Sequence, residues 1–73
     1  ISKNDVIAIV TIGNVKYNLY PSRDIEITAT QRPILNYTVN INSGVSKKSK
    51  GKIVGTYVAT DGTLTYSGEL IMK

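Results

Sequence analysis

The sequence predicts an all-β fold: about six antiparallel strands in hairpins, closing into a small sandwich or barrel and forming one domain over residues 1–73. Three observations predict it. Every aromatic is Tyr, with no Phe or Trp, and Ile, Val and Thr fill much of the rest; these side chains suit a pleated, half-buried surface. Apolar and polar residues alternate with a period of two, and no window carries the i, i+3, i+4, i+7 spacing of an amphipathic helix. Turn-forming residues recur at intervals of roughly ten, the rhythm of a β meander.

The first strand is expected over Asp5 to Ile12, ended by Gly13-Asn14, and the second over Val15 to Tyr20, ended by Pro21-Ser22-Arg23-Asp24. A two-residue Gly13-Asn14 loop sets Ile12 against Val15, Val10 against Tyr17 and Ala8 against Leu19, an apolar face. Ile7 and Ile9 are apolar on the other side as well, so this strand is expected to be central, covered on both faces or paired with a partner. A third strand is expected over Ile25 to Thr30, closed by Gln31-Arg32-Pro33. The fourth runs from Leu35 to Asn42, with Leu35, Tyr37, Val39 and Ile41 inward and Asn36, Thr38, Asn40 and Asn42 outward. Asn is depleted in strands, so that outward ladder answers to something other than propensity.

Ser43 to Gly51 reads as a polar loop. The fifth strand, Lys52 to Thr60, and the sixth, Thr63 to Met72, flank Asp61-Gly62, a strong hairpin signal. A two-residue loop there places Tyr57 opposite Tyr66, Gly55 opposite Gly68 and Ile53 opposite Leu70 on the inner face. Val54, Thr56 and Val58 then lie outside. The two facing glycines are expected to allow a bend or the close approach of another backbone.

A core this small supplies only about 3–5 kcal/mol. The usual reinforcements are missing: the chain has no Cys and no His, hence no disulfide and no common zinc site. No cofactor or metal is expected. Missing with His and Cys are the usual general base and the thiol nucleophile. Asp5, Asp24, Glu26, Asp61 and Glu69 show no spacing that pairs them, and no glycine pattern cradles a phosphate. An enzyme is therefore not expected. The Asn36-Tyr37-Thr38 glycosylation sequon reads as a chance match. The most apolar run, Val6 to Val10, is far shorter than a membrane-spanning helix. No signal peptide is evident, and the start at Ile1 reads as a mature, processed or excised form.

Net charge is +4. Much of the excess lies in Ser46-Lys47-Lys48-Ser49-Lys50-Gly51-Lys52, where no acid interrupts the lysines. Lys47, Lys48, Lys50 and Lys52 are the candidate contacts for a polyanion such as nucleic acid or a sulfated glycan. A solvated loop is the commoner use of such a segment. Of the tyrosines only Tyr20 is expected to face outward, which leaves little aromatic surface for base stacking.

The leading expectation is a non-enzymatic structural or interaction module of an extracellular or virion assembly: a phage tail or capsid component, a pilus-like subunit or an adhesin. It would act on a protein partner or on copies of itself through strand edges and apolar faces, with Ile7, Ile9, Tyr20 and Ile71 as the candidate interface. The alternative is a small β-barrel that binds a polyanion through Lys47–Lys52. A third option, an inhibitor or peptide-binding regulatory module, is not separable from the first by sequence.

Overall fold

The computed structural model describes residues 1–28 and 33–73. The fold is all-β. Five antiparallel strands, β1 (Ala8–Ile12), β2 (Val15–Pro21), β3 (Asn36–Ile41), β4 (Ile53–Thr60) and β5 (Thr65–Met72), form one barrel-like sheet in the order β1-β2-β5-β4-β3. The only described helix is a single 3-10 turn, Lys47–Ser49. The strand expected over Ile25 to Thr30 is the exception among six: Ile25–Thr28 joins no ladder, and 29–32 lie outside the described residues. Ile25 instead exchanges backbone hydrogen bonds with Ile1, at 2.6 and 2.8 Å.

The first hairpin follows its sequence register, with Ile12 opposite Val15, Val10 opposite Tyr17 and Ala8 opposite Leu19. Gly13 and Asn14 both take positive φ, 53° and 68°. That is the backbone of a type I′ turn, whose twist matches that of the flanking strands.

The second hairpin departs from its expected register by two residues. Its loop is Asp61-Gly62-Thr63-Leu64, and Thr60 pairs with Thr65. Side-chain chemistry drives the longer loop. The Asp61 carboxylate accepts the N–H groups of Thr63 and Leu64 at 2.8 and 2.7 Å. The Thr60 hydroxyl accepts from Gly62 N–H and donates to Leu64 C=O, both at 3.0 Å. An even slip keeps every side chain on its face. It also changes the partners: Tyr57 now faces Gly68, Ala59 faces Tyr66 and Gly55 faces Leu70. Each large side chain meets a small one, where the two-residue loop would set Tyr on Tyr and Gly on Gly. Close packing favours the first arrangement.

A bulge between Ile53 and Gly55 then inverts one expectation. The extra residue, Val54, turns into the core at 1% exposure, and Ile53 turns outward at 50%. Gly55 explains why the bend falls there. A Cβ at this position would overlap the Asn40 carbonyl of β3. Gly68 has a different role, since a Cβ there would lie 2.9 Å from the Tyr57 ring.

The two hairpins meet along a short seam, Leu19 opposite Met72, Tyr20 opposite Ile71 and Pro21 opposite Leu70. The core straddles it. Leu19, Leu70 and Met72 are fully buried, joined by Val54, Tyr57 and Ala59. Ile1, Ile7, Ile25, Leu35 and Val45 pack onto this cluster from outside the strands. Because the seam is short, the hairpins are staggered, and the molecule measures 41 × 18 × 16 Å.

Candidate functional site

Two regions of the surface carry the sequence-derived candidates: the basic segment and the sheet margins. Lys47, Lys48, Lys50 and Lys52 lie on an ordered turn. Ser46 caps the 3-10 turn, its hydroxyl accepting Lys48 N–H at 3.2 Å, while Ser49 Oγ accepts Ser46 N–H at 3.1 Å. The chain then locks onto the end of β5. Gly51 N–H donates to Met72 C=O at 2.6 Å, Met72 N–H to Lys52 C=O at 3.4 Å, and Lys50 bridges Met72. All four lysines are exposed.

This docking brings the segment to residues that lie far from it in the chain. Lys73 follows Met72 directly, and its N–H reaches Asn18 C=O at 3.5 Å. Its ammonium sits 4.6 Å from the centroid of the Tyr20 ring. A cation over an aromatic face gains about 0.5–1 kcal/mol at an exposed site. Tyr20 opposes Ile71, and Ile71 opposes Ile53, so the three form an apolar row across β2, β5 and β4 on the outer face. Of the four interface candidates, Tyr20 and Ile71 therefore meet. Ile9 stands one strand over, opposite Asn18 and 61% exposed. Ile7 lies elsewhere: it packs against the core cluster.

The sheet margins are β1 and β3, the outermost strands. Neither contains a charged residue or a proline. β3 is exposed along most of its length, including Tyr37 and Ile41 at 40% and 41%. The Tyr37 ring lies 6.3 Å from that of Tyr57, tilted by 52°. Burial and the nearby Asp5 carboxylate raise the Tyr37 pKa. Burial, followed by Tyr37, raises that of Tyr57, while Arg23 opposes the shift.

A shallow open groove of about 510 Å³ lies between Ser22-Arg23 and the outer faces of β4 and β5, bounded by Thr56, Ser67 and Glu69. It carries the Arg23 guanidinium and the Glu69 carboxylate. Among the described residues no cluster of His, Cys, Asp or Glu is suited to a metal ion, and no described helix is long and apolar enough to cross a membrane.

Sequence reasoning missed Lys73 and Tyr20 as neighbours of the lysine segment. The contact depends on where Gly51 docks, and no local pattern encodes that. Compared with known proteins, the chain matches no family model, no curated protein and no solved structure.

Proposed function

We propose that this protein is a non-enzymatic interaction module of an extracellular or virion assembly, joining neighbouring copies by adding strands to its sheet. One observation carries the reading: β3 is an exposed edge strand with no charged residue or proline of its own. Edge strands present unpaired backbone N–H and C=O groups, and proteins that stay monomeric usually guard them with Lys, Pro, bulges or covering segments. β3 spans Asn36-Tyr37-Thr38-Val39-Asn40-Ile41.

Self-pairing also accounts for the outward asparagines. An antiparallel two-fold through Thr38 sets Asn36 against Asn40, Thr38 against itself and Tyr37 against Val39. Polar meets polar on one face and apolar meets apolar on the other, with Asn amides placed to bond across the junction. The exposed Tyr37 and Ile41 side chains then gain cover.

Sedimentation tests this reading. The expected result is a concentration-dependent dimer or larger species that Thr38→Lys converts to monomer, because the substitution sets two like charges together at the two-fold. A chain that stays strictly monomeric at high micromolar concentration would overturn it.

A further inference from the structure

The lysine segment, Lys73 and Tyr20 form one surface, and the charge pattern of the whole chain gives it a sign. No Asp or Glu occurs in the β1–β2 hairpin, in the stretch 42–54 or in the last four residues, whereas Lys16, Lys47, Lys48, Lys50, Lys52 and Lys73 all do. Those segments converge where β5 ends. Gly51 and Lys52 hydrogen-bond to Met72, and Lys73 to Asn18. Lys16 is two residues along β2 from Asn18, about 7 Å at the strand rise. Along the strands that form the surface the nearest carboxylate is Glu69, two residues before Ile71 on β5 and opposite Thr56, and the lysines outnumber it. Asp61 is in the β4–β5 loop, and Asp5 is near Tyr37 on β3.

From this arrangement we propose that the β5 end of the sheet binds single-stranded nucleic acid, its phosphates on the lysines and a base on Tyr20. Charge complementarity selects a polyanion, because one end of an elongated molecule carries six lysines against the single nearby carboxylate of Glu69. The outer face beside them selects the single strand. Tyr20, Ile71 and Ile53 stand in register across three strands, an apolar row next to a basic margin. Unpaired bases use such a platform for stacking, and a duplex keeps its bases away from it. The segment is also held in place before any ligand arrives, by the Ser46–Ser49 cap and the bonds to Met72. Binding then pays no ordering cost for that backbone. Lys73 already covers the Tyr20 ring; a base takes its place as the ammonium moves to a phosphate.

Fluorescence anisotropy tests the proposal, using a short labelled oligothymidine, a duplex of equal length and a heparin fragment. The oligothymidine is expected to bind at low salt. Its log–log salt slope should fall by about 2 when Lys50, Lys52 and Lys73 are replaced by Ala, at about 0.7 per phosphate contact. Tyr20→Leu should weaken single-strand binding by about tenfold and leave the slope unchanged. Tyr20→Phe, which keeps the ring, should restore the affinity. No binding at low salt, or a slope unaltered in the lysine variant, overturns the proposal. So does equal affinity for duplex and heparin together with a silent Tyr20→Leu, which would mark a surface that attracts any polyanion. The lysines are exposed, so their variant reports even if a Tyr20 substitution unfolds the chain. Thr38 pairs with Val58, five residues along β4 from Ile53, and Thr38→Lys is expected to leave the surface unaffected.

Discussion

At the scale of single residues, two glycines determine how tightly β4 packs. Gly68 leaves room for the Tyr57 ring, and Gly55 lets the Asn40 carbonyl approach. Tyr57 is 1% exposed, so its ring cannot swing into solvent to admit a methyl. Gly68→Ala is therefore expected to cost about 1–3 kcal/mol, as overpacking does. Chemical denaturation measures it, and Ser67→Ala on the exposed face should change stability by less than about 0.5 kcal/mol. The pairing of Gly55 with Gly68 was expected from a two-residue loop. The sequence marked both positions as unusual, yet assigned them to each other rather than to Asn40 and Tyr57. A glycine signals that something comes close; it does not say what.

Asp61 gives the residue scale a pH dependence. The N–H bonds from Leu64 and Thr63 stabilise the carboxylate and lower its pKa below the ordinary value of 3.8. The folded value is the lower of the two, so the contribution is complete above the ordinary value and is lost as pH falls through the folded one. Wild-type stability should therefore decline more steeply on acidification than that of Asp61→Ala. Equal acid profiles would show that the loop does not depend on the ionised carboxylate.

At the scale of elements, the two hairpins separate what is local from what is not. The β1–β2 register was legible because Gly13-Asn14 accepts positive φ at both positions, and nothing further along the chain competes. For β4–β5, Asp61-Gly62 identified the hairpin and the faces but not the loop length. The Asp61 and Thr60 side chains bond to backbone groups beyond Gly62 and extend the loop to four residues. Matching Tyr57 and Tyr66 with small partners rewards that longer loop. The Val54 bulge was not legible either. It arises where β4 must follow β3 at Gly55 and β5 at Leu70 together. The segment after Arg23 alternates as a strand does, but Ile25 finds Ile1 rather than a ladder. Alternation specifies two faces; a strand also needs a neighbour.

At the scale of the whole molecule, the seam holds two staggered hairpins together. Leu19, Pro21, Leu70 and Met72 meet there and are among the most completely buried side chains. Truncating Leu19 to Ala should cost about 2–5 kcal/mol, set against a total of about 3–5 kcal/mol for a core of this size. Leu19→Ala is expected to leave the isolated chain largely unfolded at room temperature, as near-complete loss of β signal in circular dichroism. A folded variant with a clear cooperative melt would place the stabilising core elsewhere. The stagger also gives the molecule its length and sets the lysine-bearing end apart from the Asp61 loop.

The sequence by itself determined the fold class, the location of both hairpins and most side-chain faces within their strands, because these follow from period-two alternation and short-range turn chemistry; β1 begins at Ala8 and β5 at Thr65, later than the alternation suggests. It also supplied all the lysines. Tertiary structure alone decided that β2 lies beside β5, that β1 and β3 are the edges, and that the basic segment docks on Met72, next to the Lys73 that covers Tyr20. Those choices depend on which surfaces remain to be buried once the hairpins exist, and residues distant in the chain compete for them on volume and backbone pairing rather than on local pattern.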